Sequence, residues 1–497
     1  MKLRATFFSI STVVAALSLL PVITLLALAV EQMGSVYFLR HEIFVNTIIV
    51  VSGTALMASL IGVPLAIITS IFDLPLKKML LACLLMPLAV PSYIGAFAFY
   101  DAFGTGGELD RLLPITPPSV EGITGTIFVL ALYTYPFVLL TTRASLSGLD
   151  SNQIFAARTL GSGFFEIFLK VIIPRVLNAV AGGALLVALY AISDFGTPAI
   201  LGANTYTRAI FVEYNALGFS QAANLSIQLF VIISVFLVLE SRARVAKALP
   251  SQFVAISLGS VGKCLAYLLV GSIIFTSTVL PVIIFSVWLN REGFVGVELL
   301  TVLNSVSVSF ATAVLIAFVA IPVSMTATRD RLGKALEKVT YLGFGIPGIV
   351  MGTAFIYVGL QFPPIYQTFF LLILAYLLRF LPLGVSSIRN KLEAQDDSLI
   401  NAAKCLGTPD NEIFFRITLP LISKAIIAGG VLAFLETIRE LPATLVLGPI
   451  GFETLATYMW RVYEGGYFAL AAVPAFLIMG VSVLSLVVTL TMEDFSR

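Results

Sequence analysis

Charged side chains make up only 11% of this 497-residue chain, and the few that fall inside apolar runs are the ones that could do chemistry. Arg379 lies about halfway along the run from Thr368 to Ser387, while Glu436, Arg439 and Glu440 stand close together in another. Asp194 holds the position 246 residues before Glu440. A lone cation at the centre of a membrane helix costs about 2.5–3.5 kcal/mol on insertion scales, so Arg379 is expected to face a bundle interior and take Glu436 or Glu440 as partner. Asp194 and Glu440 each follow a proline, Pro174 or Pro420, by 20 residues. At 1.5 Å per residue that is about 30 Å of helix, enough to carry them to the external mouth of a bilayer. Two carboxylates there would attract a cation, and hard oxygen donors suit a hard metal ion as transient ligands rather than as a resident site. The competing role is local: each acid caps backbone amides where its helix breaks, at Gly196 or Pro442.

No residue pattern in the chain supports catalysis. A phosphate-binding loop needs Gly-x-x-x-x-Gly-Lys-Ser/Thr, and the nearest approach has Ser257 at the first glycine and Cys264 at the hydroxyl position. Any ATP hydrolysis must therefore come from another polypeptide. The lone histidine, His41, sits between Arg40 and Glu42 as a solvated loop residue. Cys83, Cys264 and Cys405 have neither metal nor redox spacing and read as structural.

These charges are positioned by a duplicated chain. Ala156, Ala157, Leu160, Gly161, Glu166, Ile167, Phe168 and Pro174 recur without a gap as Ala402, Ala403, Leu406, Gly407, Glu412, Ile413, Phe414 and Pro420. Asn46 and Pro64 recur as Asn304 and Pro322, and Pro136 and Arg143 as Pro382 and Arg389. Each repeated segment, near 151–174 and 397–420, reads as a short helix, a glycine turn and a second amphipathic piece: an elbow between membrane spans. Paired alanines let another surface approach, glycine permits the change of direction, and the proline is expected to begin the next span.

Composition places the elbows in a membrane protein. Hydrophobic residues make up 59% of the chain, and mean hydropathy is +1.03, far too apolar for a soluble domain. Apolar runs predict about twelve transmembrane helices. Six lie in a first half, 1–245, near 7–30, 46–72, 80–102, 122–142, 176–195 and 224–240. A polar linker, 246–263, follows. Six more lie in the second half, 264–497, near 264–289, 300–327, 340–360, 368–388, 425–447 and 468–491. With the amino terminus in the cytoplasm, the external loops hold only Arg40, Arg111, Arg208, Arg291 and Arg461, which satisfies the positive-inside rule. Both termini and both elbows are then cytoplasmic. Two six-helix repeats running the same way imply a pseudo-two-fold axis along the membrane normal, with a path between the halves.

The pattern Ala402, Ala403, Gly407, Ile417, Leu419, Pro420 is similar to the coupling motif of binding-protein-dependent ABC importer permeases, and the first copy differs from it only by Val171 and Ile173. The resemblance implies an all-α polytopic protein with type I importer architecture. It also implies that the elbows dock on a cytoplasmic ATPase dimer through Ala156, Ala157, Arg158, Gly161, Ala402, Ala403, Lys404 and Gly407. Where the family has an acid before the alanines, this chain has Phe155 and Asn401, leaving Arg158, Lys404 and the apolar face as contacts. Ser193-Asp194-Phe195-Gly196-Thr197-Pro198 and Arg439-Glu440-Leu441-Pro442-Ala443-Thr444 resemble the paired signatures of fused ferric iron permeases. That implies a bacterial inner-membrane, multi-pass transport subunit served by a periplasmic binding protein. Asp194, Arg379, Glu436, Arg439 and Glu440 would line its path or gate. ATP and Mg would be used by the partner, with no cofactor and no nucleic acid bound by this chain. Related permeases carry thiamine, phosphonate, sulfate or polyamine. A secondary transporter using Glu436 and Glu440 as ion sites is the reading from another class, and it has no use for two ATPase-docking elbows.

Overall fold

The structure is a computed structural model that describes residues 2–31, 40–104, 107–112, 118–147, 156–157, 159–161, 163–242, 257–293, 297–329, 331–395 and 398–494. The protein is all-helical, with nine helices among the described residues long and apolar enough to span a bilayer. Two further expected spans are broken in the middle. Lys77–Ala89 is followed after Pro91 by Ser92–Phe103, and Arg331–Gly345 after Pro347 by Gly348–Gln361, the latter pair bent by 103°. The turn Phe468–Ala471 and the helix Ala472–Asp494 lie where the twelfth span is expected. The breaks follow from the sequence. A proline disfavours helical geometry at the residue before it and is itself tolerated at a helix start. Val90 is accordingly extended, and Pro91 and Pro347 are the N-caps of the second pieces.

Pro174 and Pro420 stand in the first turn of the α-helical spans Ile173–Ser193 and Leu419–Ile438, as expected, but those spans are entered without a break. Helix runs on from Phe164–Ile167 and from Asp410–Ile413 through the π-helical turns Phe168–Ile172 and Phe414–Thr418 into Ile173–Ser193 and Leu419–Ile438. A third π turn, Phe275–Val279, precedes Leu280–Glu292. Each is followed by an aliphatic residue and then Pro174, Pro420 or Pro281. A proline has no N–H for the carbonyl four residues back and crowds it, so the preceding turn widens instead of ending. The run expected at 425–447 is shorter than its hydropathy, because helix stops at Ile438 and resumes as Pro442–Leu447.

The chain packs as two units whose boundaries depart from 1–245 and 264–497. One comprises Met1–Tyr37, Ile210–Ile227 and Phe294–Arg497; the other comprises Phe38–Ala209 and Gln228–Gly293. The first helix of the chain thus belongs with the second repeat. Phe7 meets Phe414 edge-on at 5.3 Å, Arg4 donates to Asp410 at 3.0 Å, and Ser11 donates to Thr326 Oγ1 at 3.1 Å. In the other unit the linker-following helix packs with the first repeat. Tyr267 donates to the Pro75 carbonyl, Trp288 to Asp101, and Arg291 forms an ion pair with the buried Glu108 at 2.7 Å. The exchange was hidden in the sequence because apolar helices carry no label of their packing partner.

Each unit has a three-helix centre built on small residues. In one, Leu299–Ala327, Phe369–Glu393 and Leu419–Ile438 meet at Gly384 and Gly429, where a Cβ on Gly429 would lie 2.8 Å from Gly384 Cα. In the other, His41–Ile71, Gly122–Leu146 and Ile173–Ser193 meet at Gly62 and Gly183, where a Cβ on Gly183 would lie 2.8 Å from Val138 Cα. Without a hydrophobic drive between helices in lipid, such close backbone approach supplies the dispersion contact that holds them. At the elbow side of each unit a matched arginine finishes the packing. Arg143 donates to the terminal carbonyl of Thr69 at 2.8 Å, while Arg389 grips both oxygens of the buried Glu337 at 2.9 and 3.0 Å.

Candidate functional site

The better-described elbow is the second. Its helix Ser398–Cys405 ends in a left-handed glycine, Gly407, at φ +79°, with the Gly407 N–H on the Lys404 carbonyl at 3.0 Å and the Thr408 N–H on the Ala403 carbonyl at 3.1 Å. That pair of bonds is a Schellman turn, which satisfies the last carbonyls and demands a positive φ after the helix. Gly161 repeats the conformation at φ +85°, after a turn in which the Leu160 N–H reaches the Ala156 carbonyl. Ala156, Ala402 and Lys404 are exposed, Ala157 is half-buried and Ala403 is turned inward. Arg158 lies outside the described residues. Leucines occupy matched positions beside the two glycines, Leu160 and Leu406, and each is 85% exposed.

The intramembrane charges sit where helices break. Asp194 is the C-cap of Ile173–Ser193 and accepts the Thr197 N–H at 2.9 Å. Glu440 follows the end of Leu419–Ile438 and accepts the Ala443 N–H at 3.2 Å, three residues on in the same way. Both acids therefore do the capping that their positions allow. Around them the two repeats diverge. Glu440, only 7% exposed, takes a hydrogen-bonded ion pair from Arg379 at 2.9 Å, and Arg439 pairs with Glu436 three residues before it. Arg379 thus selects Glu440 from its two candidate partners, and Glu440 is not the open carboxylate expected from the sequence. Gly348 makes room for this pair: a Cβ there would collide with both Arg379 Nη1 and Glu440 Oε1. Asp194 is half-buried and receives hydroxyl rather than guanidinium donors; Ser92 hydrogen-bonds its carboxylate, and Tyr190 donates to Ser92 at 3.4 Å.

Two elbows with left-handed glycines, on a duplicated helical membrane chain with acids at equivalent helix breaks, now have a counterpart. Residues 58–243 and 313–492 match the family described as "Binding-protein-dependent transport system inner membrane component". The chain belongs to that family. Among individual relatives, this permease is 28% identical over 403 residues to the "Fe(3+)-transport system permease protein FbpB 2" of Haemophilus influenzae, covering 78% of this chain and 77% of the relative. It is 22% identical over 424 residues to the "Ferric transport system permease protein FbpB" of Actinobacillus pleuropneumoniae, covering 78% and 62%. A "Molybdate/tungstate transport system permease protein WtpB" of Thermococcus kodakarensis is 28% identical, but over 171 residues, 34% of this chain and 64% of the relative.

Three features of the permease escaped the sequence. Leu160 and Leu406 were visible as repeated residues, but only the folded elbow shows them pointing into solvent. Ser92 and Gly348 carry no motif of their own, but each follows the proline of a broken span, where Val-Pro-Ser and Ile-Pro-Gly interrupt apolar runs. A proline flanked by a small residue inside a run of spanning length was the available signal.

Proposed function

We propose that the chain is the membrane permease of an ATP-driven, binding-protein-dependent importer of ferric iron, seated in the bacterial inner membrane with both termini in the cytoplasm. The carrying observation is the matched pair of elbows, each presenting an 85%-exposed leucine beside a left-handed glycine, in a chain of this family. Two such apolar knobs at equivalent positions suit a two-fold ATPase dimer, and Ala156, Ala402, Lys404 and the leucines are the surface offered to it. The chain itself performs no catalysis in this reading; the ATPase uses ATP and Mg, and a periplasmic protein delivers the substrate.

Ferric iron is favoured over an oxyanion because the relatives named for iron match across both repeats, whereas the one named for molybdate or tungstate matches over about a third of this chain. A native reporter tests the docking. Cys405 is exposed at the end of the second elbow helix. With the complex assembled on its ATPase, a short bismaleimide should link Cys405 to a single cysteine in the ATPase, and excess Leu406→Asp permease should not form the link. Equal cross-linking of both proteins would remove the elbow as the docking surface.

A further inference from the structure

We propose that cation passage through this permease uses one carboxylate, Asp194, set among the hydroxyls of Ser92, Tyr190 and Thr197, while Glu440 is a structural anion held by Arg379. The inference rests on the ferric-importer reading and assigns the residues of the site. At equivalent positions the two repeats make the same backbone bond, Thr197 N–H to Asp194 and Ala443 N–H to Glu440, so any difference in role must come from the side chains around them.

Those side chains differ in charge. The second repeat holds Glu436, Arg439, Glu440 and Arg379, paired as Arg439 with Glu436 and Arg379 with Glu440, which leaves no net attraction for a cation. At the same positions 246 residues earlier stand Tyr190, Ser193, Asp194 and Tyr133, with one negative charge and no guanidinium. The residue after the break proline completes the contrast. Gly348 clears space for the Arg379–Glu440 pair, whereas Ser92 hydrogen-bonds the Asp194 carboxylate.

The oxygen atoms near Asp194 suit a hard cation held briefly. Ser92 and Tyr190 form a hydroxyl chain to the carboxylate, and each hydroxyl retains a lone pair that can turn to a metal. Thr197, whose amide caps the same carboxylate, also sets its fully buried hydroxyl against it. One carboxylate and neutral oxygens favour entry of a hard ion without the multidentate charge that would trap it, the balance conduction needs. Asp194 keeps more exposure than Glu440, which is closed at 7%.

Terbium(III), a hard trivalent ion whose emission is sensitised by a nearby tyrosine, tests this on the full chain in nanodiscs of neutral phosphatidylcholine. Saturable tyrosine-sensitised emission is expected. Asp194→Asn should weaken binding at least about tenfold, because it removes the only uncompensated charge of the site. Tyr190→Phe should dim the emission at saturation. Glu440→Gln, and the doubly neutral Arg379→Gln/Glu440→Gln should the single variant fold poorly, should bind terbium within about twofold of the parent, since no charge of the site is touched. Equal weakening by Asp194→Asn and the double variant, or unchanged binding in Asp194→Asn, would overturn the proposal. The titration uses neither ATPase nor binding protein, so it stands or falls separately from the importer reading.

Discussion

Uptake driven by ATP is expected to fall about tenfold on Gly407→Val and by a similar factor on Gly161→Val, with membrane insertion intact. Both glycines hold positive φ, +79° and +85°, and neither has a neighbour within 4 Å of an added Cβ, so strain alone opposes substitution. A left-handed residue with a Cβ costs about 1–2 kcal/mol, and 1.4 kcal/mol is a factor of ten in the population of the formed turn. Gly407→Asn is the control, since Asn enters this conformation at less cost and should keep most of the uptake. The two elbows lie in separate repeats, so the double valine variant should approach the product of the single effects, about a hundredfold. ATP turnover should become insensitive to the binding protein in the double variant. Retained coupling there would mean that the glycine turns do not carry force to the membrane helices.

The second large effect is on stability. Removing one partner of a buried ion pair leaves an uncompensated charge, at about 3–5 kcal/mol. Arg379→Gln would strand Glu440, 7% exposed, and should lower the thermal midpoint of the detergent-solubilised chain sharply. Arg379→Gln/Glu440→Gln should recover much of the loss, because the glutamine at 440 still accepts the Ala443 N–H and no charge remains. A coupling energy above about 1 kcal/mol in the double-mutant cycle is the expected sign of the pair, and additivity within about 0.5 kcal/mol would dissolve it.

What could be read from the sequence tracks what each kind of pattern encodes. The duplication, the helical class and the positions of the spans were legible because they depend on apolar runs and on residue identity at a fixed offset. The breaks at Pro91 and Pro347 were lost because hydropathy stays high across them, and only the backbone rule for residues before proline marks the turn. Spacing could not choose between Glu436 and Glu440 as the partner of Arg379, since they stand one helical turn apart; the space left by Gly348 decides it. The elbow turns were legible from Gly161 and Gly407 because a left-handed helix end has so few alternatives to glycine. The exchange of the first helix onto the second repeat left no mark, for Phe7 and Phe414 are ordinary apolar residues until they meet.

The importer reading itself is tested most directly by reconstituting the permease with its ATPase in liposomes, adding ferric-loaded or empty binding protein outside, and measuring ATP turnover together with iron accumulation. Ferric-loaded protein is expected to stimulate turnover and fill the liposomes with iron, and empty protein or ATP withdrawal to abolish the filling. Iron accumulation driven by an ion gradient without ATP, or turnover equally indifferent to loaded and empty binding protein, would contradict the importer reading.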